Sequence, residues 1–140
     1  MIQDSDLTFN EETKRYYLTS NYVYNKLGTD LSKILYDELD TNRATLVQRT
    51  IEYACDELYD FIEDNAIDGE SSKYAVTQNL SMHNAMKKAL GYELLYFVQN
   101  GDISQEAGNV MSDTISSRAI QVLKAKGVFH IIIKNIPEIW

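Results

Sequence analysis

The clearest run of apolar and polar positions predicts a long amphipathic helix over about residues 42–65. Thr41 or Asn42 can cap its start, and Gly69 can supply the turn that follows it. One face would be apolar at helical spacing and suited to packing in a bundle, with Val47, Ile51, Ala54, Cys55, Leu58 and Ile62. The opposite face would be acidic, with Glu52, Asp56, Glu57, Asp60, Glu63 and Asp64.

A second amphipathic pattern predicts a helix over about residues 73–99. Its apolar positions are again three and four residues apart: Val76, Leu80, His83, Met86, Leu90, Leu94, Phe97 and Val98. Asn100 and Gly101 end the pattern, and glycine readily takes the left-handed geometry of a helix terminus. We therefore expect this helix to pack beside the first one.

A long loop separates the second helix from a third. Residues 102–115 show no regular pattern, and a loop of more than about a dozen residues in a compact domain usually has a function. The third helix, about 117–126, has Ser116 as its cap and stops at Gly127. Its inward face would hold Ala119, Val122 and Leu123.

The two ends of the chain have patterns of another kind. The segment "RYYLTSNYVYNKLG", residues 15–28, is rich in tyrosine and roughly alternating, which predicts a strand pair or an extended arm. A short helix is expected next to Gly28, capped by Thr29 or Asp30, with an apolar face of Leu31, Ile34, Leu35 and Leu39. The β-branched run "VFHIII", residues 128–133, predicts a strand, after which Pro137 keeps the chain extended.

These elements together predict a mainly α protein. The expected fold is a small helical bundle of three to four helices with a long loop and a short C-terminal β-strand or tail. At 140 residues the chain is of a length for one domain. We expect a tyrosine-rich segment and a short helix over 1–40, a helical core over 41–127, and a strand and arm over 128–140.

The composition indicates a soluble protein made in a reducing compartment. Apolar residues make up 44% and charged residues 24% of the chain, which is ordinary for a soluble domain. No apolar run approaches the length of a membrane span, so secretion and membrane insertion are disfavoured. The single cysteine, Cys55, has no partner for an internal disulfide and is interpreted as a small core residue.

Charge is divided unevenly between the two halves of the chain. The net charge is −8, with sixteen acidic and six basic residues in 1–70 but five acidic and seven basic residues in 71–140. Strong nonspecific DNA binding is disfavoured, because it requires many cationic contacts to phosphate. Two explanations stay open. Copies of the chain could associate head to tail through opposite charges, or the imbalance could be a chance feature of a solvated surface.

Candidate chemistry is sparse. His83 and His130 have no partners at metal-ligand spacing, so both are interpreted as structural histidines. Four carboxylates one helical turn apart could bind a metal, although a solvated acidic face is the more ordinary explanation: Glu57, Asp60, Glu63 and Asp64. A calcium loop over 64–70 is rejected, because Ala66 and Ala75 stand where oxygen ligands are required. With no phosphate-binding glycine loop and no nucleophile elbow, the sequence predicts no enzyme and no cofactor.

Two segments that flank the loop, "ALGYELLYFVQNGDIS" and "ISSRAIQVLKAKGVFH", resemble the head–tail connector, or adaptor, proteins of tailed bacteriophages. In that family a helix of the form A-x-x-Y-x-x-x-x-x-x-x-N-G-D leads into a polar loop, and the matching residues here are Ala89, Tyr92, Asn100, Gly101 and Asp102. After the loop the matching residues are Ser116, Ala119, Leu123, Gly127 and Phe129. The acidic helix over 46–62 resembles the helix that precedes this unit in the family, and the likeness covers roughly 42–130.

The resemblance implies a non-enzymatic subunit of a virion. Such proteins form a closed, usually dodecameric, ring beneath the portal protein, extend the DNA channel and hold the stopper or tail protein, so the chain would be made in the host bacterial cytoplasm and end in the virion neck. The loop would project toward a neighbouring ring or the channel, with contacts from Asp102, Ser104, Glu106, Asn109 and Met111. DNA would pass without specific binding, repelled by acidic residues that line its path: Glu57, Asp60, Glu63 and Asp64.

The C-terminal arm is the segment that looks most like a partner contact. A run of isoleucines ending in Trp140 would be adhesive unless it docks. It could dock on the chain's own core, on an adjacent subunit or on the portal. The residues expected to contact the portal or a neighbour are Phe129, Ile131, Ile132, Ile133, Ile136, Pro137, Ile139 and Trp140.

Two other classes of protein stay open. The acidic first half is compatible with a small acidic helical interaction protein, such as a DNA mimic or a phage-encoded inhibitor of a host enzyme. Carboxylates spaced like phosphates along one face would favour that class. A helical enzyme that uses clustered carboxylates and a metal is the third class, and a stoichiometric bound metal would favour it.

Overall fold

The described part of the chain is a β-hairpin followed by five helices. The computed structural model describes residues 2–29, 31, 43–66, 69, 71–99 and 115–129. The elements in chain order are β1 (Leu7–Asn10), β2 (Arg15–Leu18), α1 (Ser20–Asn25), α2 (Arg43–Asn65), α3 (Ser71–Ala75), α4 (Leu80–Gln99) and α5 (Ser117–Ala125). The predicted mainly helical class with little β-structure is confirmed.

The N-terminal hairpin is an antiparallel pair in which Leu7 faces Leu18 and Asn10 faces Arg15. Its turn is held by the side chain of Asn10, whose Oδ1 accepts the backbone N–H groups of Glu12 and Thr13 at 2.8 and 3.0 Å. Asparagine favours turns because its side chain can bond nearby backbone in this way. The sequence correctly placed a strand in residues 15–28, but its partner lies upstream rather than within that segment.

The second half of the tyrosine-rich segment is helical, which corrects the expectation of a strand pair or arm. Thr19 caps α1, and its Oγ1 accepts the backbone N–H of Tyr22 at 3.1 Å. This capping bond satisfies a donor that would otherwise be unpaired at the start of the helix. The short helix predicted after Gly28 falls on residues 30–40, which lie outside the described residues except for the buried Leu31.

The first long helix and its apolar stripe are confirmed. Helix α2 begins one residue after the predicted start and ends at the predicted residue. The stripe lies in one hydrophobic cluster shared with the hairpin, α4 and α5. Ile51, Ala54, Cys55, Leu58 and Ile62 have no exposed surface there. Burial also raises the pKa of the Cys55 thiol to about 12, which suits the inert core cysteine that was predicted.

The predicted helix over 73–99 is in fact two helices, α3 and α4. Asn79 starts the second one, because its Oδ1 accepts the backbone N–H of Met82 at 3.0 Å. Thr77 supports the break by accepting the N–H of Asn79 through Oγ1 at 3.0 Å. The break rotates the start of α4, so that Leu80, expected to face inward, is 60% exposed.

Helix α5 begins at the predicted residue and ends one residue before the predicted end. Ser116 is its cap, and its Oγ accepts the N–H of Ala119 at 3.2 Å. At the other end Gly127 has a φ of +79°. There the N–H of Gly127 donates to the carbonyl of Lys124 at 3.0 Å. The N–H of Val128 donates to the carbonyl of Leu123 at 3.1 Å. This is the Schellman arrangement, in which glycine avoids the Cβ clash of the left-handed region.

The start of the C-terminal segment turns into the chain's own core. Phe129 is 3% exposed and forms an isolated antiparallel bridge with Ala66 at the end of α2. Its ring meets that of Phe61 edge to face, with centroids 5.7 Å apart. The predicted strand over 128–133 is therefore described only through these first two residues. Residues 130–140, Gly101 and the loop up to residue 114 lie outside the described residues.

Candidate interaction surface

Helices α4 and α5 form the most extensive helix pair in the described structure. Each helix places a small side chain in the hydrophobic core, since Ala89 on α4 and Ala119 on α5 have no exposed surface. The pair is also joined by Glu93, whose Oε1 accepts the backbone N–H of Ser116 at 2.9 Å. A carboxyl group on one helix thus bonds the backbone at the start of the next.

Glu93 is an unusual residue for a helix interface, because its side chain is ionisable and only 1% exposed. Burial raises the pKa of its carboxyl group to about 8, and nearby Glu57 raises it further. The hydrogen bond from Ser116 acts in the opposite direction but is outweighed. Glu93 is therefore mostly protonated at neutral pH. Sequence patterning gave no sign of this role.

A groove of about 640 Å³ lies on the outer side of this helix pair, between the start of α4 and the end of α5. Four apolar residues, called the floor below, line it: Leu80, Ala85, Val122 and Ala125. The rest of the lining is polar, with Ser81, Asn84, Lys88 and Lys126, and Lys126 Nζ donates to Ser81 Oγ. Leu80 has the largest exposed fraction among the large apolar side chains that the structure describes. An apolar concavity with charged sides is typical of a site that accepts a peptide or a small ligand.

The surface of α4 and α5 is cationic. Lys88, Arg118 and Lys124 lie on these helices and Lys126 follows directly, whereas the one acidic residue there, Glu93, is buried. Lys87 does not add to this charge, because it is paired with Asp4 and Asp6 of the N-terminal segment. Two of the cations lie over the ring of Tyr92, with Lys88 Nζ at 6.0 Å and the Arg118 guanidinium carbon at 5.8 Å from its centroid. These contacts hold positive charge over a half-buried aromatic ring. The surface is suited to an acidic partner.

The acidic face of α2 is organised around one cation from the hairpin. Arg15 donates to Asp56 at 2.6 Å, to Asp60 at 3.1 Å and to Glu63 at 2.9 Å. Burial would lower the pKa of Arg15, but the bonds to Glu63, Asp56 and Asp60 outweigh it and raise the pKa. The structure thus brings two of the four predicted channel-lining carboxylates, Asp60 and Glu63, onto one guanidinium.

The other two predicted channel-lining residues have different surroundings. Glu57 is half-buried, and burial raises the pKa of its carboxyl group, with a further contribution from Asp60. Asp64 is exposed near the end of α2. Among the described residues no group of three or more His, Cys, Asp or Glu side chains is arranged to hold a metal ion. Three of the α2 carboxylates, Asp56, Asp60 and Glu63, contact the guanidinium of Arg15.

Replacing Arg15 with methionine is expected to destabilise the protein by about 1–2 kcal/mol. The Arg15 side chain is 12% exposed while its partners are 40–65% exposed, so solvent screening keeps the effect below that of a fully buried pair. Urea unfolding at low and high salt measures it, and the loss should shrink in 1 M NaCl.

The matched control for this variant is Lys14→Met. Lys14 pairs with Glu11 on the same hairpin, but both side chains are more than half exposed. Its loss should cost less than about 0.5 kcal/mol. Equal effects of the two variants would mean that Arg15 does not hold the hairpin on α2.

His83 is a structural histidine, as predicted. It is 2% exposed, and its Nε2 lies 2.8 Å from Oδ2 of Asp4. Lys87 also reaches Asp4, at 3.0 Å. Although burial would raise the pKa of Asp4, hydrogen bonds from His83, the Asp6 backbone and Lys87 lower it to about 2. The cluster fastens the N-terminal segment to α4. His130 lies outside the described residues.

The predicted partner contacts are only partly covered by the described residues. Phe129 is wrong as a partner contact, because it is buried against Phe61 in the chain's own core. The other arm residues and the loop contacts lie outside the described residues: Ile131, Ile132, Ile133, Ile136, Pro137, Ile139, Trp140, Asp102, Ser104, Glu106, Asn109 and Met111. The groove residues were not predicted as a site. The sequence of these two helices contains a single acidic residue, Glu93, and this scarcity of acidic residues could have indicated the surface.

Comparison of the chain with protein-family models, curated proteins and solved structures found no match. None of the described helices is both long and apolar enough to cross a membrane. The surfaces themselves are thus the basis for a functional proposal: an acidic face on α2, and a cationic face with an apolar groove on α4 and α5.

Proposed function

We propose that this chain is a non-enzymatic structural protein of a phage virion. In this proposal it is a head–tail connector subunit. Copies form a ring, of twelve subunits by analogy with the family it resembles, that joins the portal protein to the stopper or tail protein and extends the DNA channel. The chain is made in the host bacterial cytoplasm and ends in the neck of the virion.

The observation that carries the proposal is where the resembling residues lie. Ala89 on α4 and Ala119 and Leu123 on α5 have no exposed surface and belong to one hydrophobic core. Ser116 caps the second of these helices and Gly127 ends it. The pattern therefore corresponds to one structural unit, a helix pair on either side of the loop. This correspondence supports the resemblance, because the apolar residues that match are core residues and Ser116 and Gly127 have the helix-limiting roles that the pattern implies.

The charge distribution supports assembly into a ring. Each contact in a ring of identical subunits joins two different surfaces, so these surfaces can be complementary. The cationic side chains of α4 and α5 can supply one of these surfaces, and acidic residues of the first half of the chain other than those that would line the channel can supply the other. Opposite charges would steer neighbouring subunits into register and would disfavour wrong contacts.

The acidic residues have a second role in this proposal. Glu57, Asp60, Glu63 and Asp64 would lie along the DNA path, where negative charge keeps phosphates from adhering. Arg15 offsets part of this charge at Asp60 and Glu63. The loop residues from Asp102 to Met111 would extend toward the next ring or the channel.

The DNA-mimic alternative is weaker, because Arg15 compensates part of the negative charge on α2. A mimic needs unneutralised carboxylates at phosphate-like spacing along one face. On α2, Asp56, Asp60 and Glu63 converge on Arg15 instead of forming an open row. Their charge is partly compensated within the chain, so a basic DNA-binding partner would gain less from them.

A mass measurement on the full chain tests the proposal. We expect the chain, when mixed with the portal protein of the same phage, to form a complex with one copy per portal subunit, and electron micrographs to show a ring. The complex should weaken in 1 M NaCl because opposite charges hold its subunits. A chain that stays monomeric beside the portal, or that turns over a substrate, would contradict the proposal.

A further inference from the structure

We infer that the groove between α4 and α5 receives residues 136–140 of a neighbouring copy of the chain. The inference deepens the proposed function and rests on it, since the neighbour is the adjacent subunit of the ring. It specifies the surface that binds the C-terminal arm. The occupant is a short extended peptide that carries large apolar side chains and one carboxylate.

The shape and polarity of the groove favour such a peptide. Leu80 is 60% exposed at the edge of a floor that includes Ala85, Val122 and Ala125. An apolar floor of this kind is stabilised when apolar side chains cover it. A volume of about 640 Å³ suits a few side chains and is small for a packed helix.

The charge of the groove matches the charge of the arm. Lys88 and Lys126 flank the floor, and the one carboxylate on these two helices is the buried Glu93. The segment "IPEIW", residues 136–140, places Glu138 among Ile136, Ile139 and Trp140. An acidic residue within a large apolar sequence is complementary to an apolar groove with lysines at its sides.

The arm has a fixed origin and enough length to reach a neighbour. Phe129 is anchored by its bridge to Ala66 and by its ring contact with Phe61. Six residues, 130–135, separate it from the docking segment 136–140 in the sequence. An extended segment of that length spans at most about 20–22 Å, which is about twice the diameter of a single helix. Exchange of such an arm around a ring would link each subunit to the next.

The fluorescence of Trp140 tests this inference in the full chain, because Trp140 is the single tryptophan. If the arm docks in a neighbour, the emission should shift to shorter wavelength as the protein concentration rises. Leu80→Asp should raise the protein concentration at which half of the emission shift has occurred by at least tenfold, since a charge would lie on the apolar floor. The matched control is Tyr24→Asp on α1, where the described part of the chain has its second exposed large apolar side chain, at 42%. It should change this concentration less than twofold.

A charge exchange identifies the partner within the groove. Lys88→Glu and Glu138→Lys should each weaken docking about tenfold, because each places like charges together. The two substitutions combined in one chain should restore docking to within about threefold of the unmodified protein. Failure of the combined variant to recover would mean that Glu138 does not lie beside Lys88, and the inference would be wrong.

Each remaining outcome also decides the question. If Trp140 emits at short wavelength at every protein concentration, the arm docks on its own chain. If Trp140 emits at the long wavelength of a solvent-exposed tryptophan at every concentration, the arm does not dock in the groove. Either result overturns the inference. Mass measurement of the same samples separates this result from the proposed function. If the Leu80→Asp variant forms rings as well as the unmodified chain, arm docking in the groove is refuted and ring assembly is not. If the unmodified chain forms no ring with the portal protein, the proposed ring assembly is refuted.

Discussion

Glu93→Gln is expected to raise the free energy of unfolding by on the order of 3–5 kcal/mol at pH 8.5 and to leave it almost unchanged at pH 4.5. The carboxyl group of Glu93 is buried at the contact of α4 with α5, and its pKa is raised to about 8. Between the unfolded pKa and this value, the folded protein keeps a proton that the unfolded chain releases. The unmodified protein therefore loses stability as pH rises through this window, and the loss is complete above about pH 8.

Glutamine removes this pH-dependent loss and retains the structural bond. Its amide oxygen can still accept the N–H of Ser116, and its amide nitrogen takes the place of the protonated oxygen. Urea unfolding of both proteins at pH 4.5, 7 and 8.5 gives the difference in unfolding free energy, in which other titrating groups cancel. A difference that stays constant across these pH values would show that Glu93 is not the responsible group.

Glu57→Gln provides a second test of the same environment. Glu57 contributes to the raised pKa of Glu93, although burial is the larger cause. Its replacement should therefore move the fall in stability to lower pH without abolishing it. An unchanged profile would show that the two carboxyl groups do not interact.

Tyr59→Phe is expected to cost about 2–4 kcal/mol of unfolding free energy, the second large effect. The Tyr59 hydroxyl has no exposed surface and bonds strand β2 twice. It donates to the carbonyl of Tyr16 at 2.8 Å and accepts the N–H of Tyr16 at 3.2 Å. Phenylalanine would leave both backbone groups buried without a partner, and each such group costs about 1–3 kcal/mol.

The reason for the size of this effect lies in the sheet. A two-stranded hairpin is marginally stable alone, so its attachment to the helices matters. The Tyr59 hydroxyl bonds the two backbone groups of Tyr16 that a third strand would otherwise bond. Loss of the hydroxyl should therefore also speed hydrogen exchange at the Tyr16 amide. Tyr24→Phe removes a hydroxyl from a ring that is 42% exposed, and it should cost less than about 0.5 kcal/mol. Similar costs for the two variants would contradict the proposed attachment.

Local patterns in the sequence were sufficient for two of the described helices, α2 and α5, and for several helix ends. Periodic apolar positions predicted α2 almost to the residue, and they predicted α5 together with its cap Ser116 and its terminal Gly127. These features depend on residues within a few positions of one another, which is the range over which helical spacing and capping act. The break between α3 and α4 was missed, because the apolar pattern of 73–99 continues across Asn79 while that side chain starts a new helix.

The contacts that define the surfaces depended on the tertiary structure. Tyr16 and Tyr59 are 43 positions apart, Arg15 and Glu63 are 48 apart, and Glu93 and Ser116 are 23 apart. A sequence shows that such residues can pair with many partners, but only packing decides which one each meets. The exposure of Leu80 likewise became visible only in the structure, because the sequence pattern placed this side chain on the inward face.

The sequence by itself thus determined a mainly helical protein with one acidic helix, two helices almost free of carboxylates, and an apolar arm. Those are properties of composition and spacing, and they need no knowledge of contacts. The tertiary structure decided that Arg15 compensates the acidic helix, that Phe129 belongs to the core, and that the two cationic helices enclose a groove. Burial and hydrogen bonding between distant residues are the physical reason, because they exist only once the chain has folded.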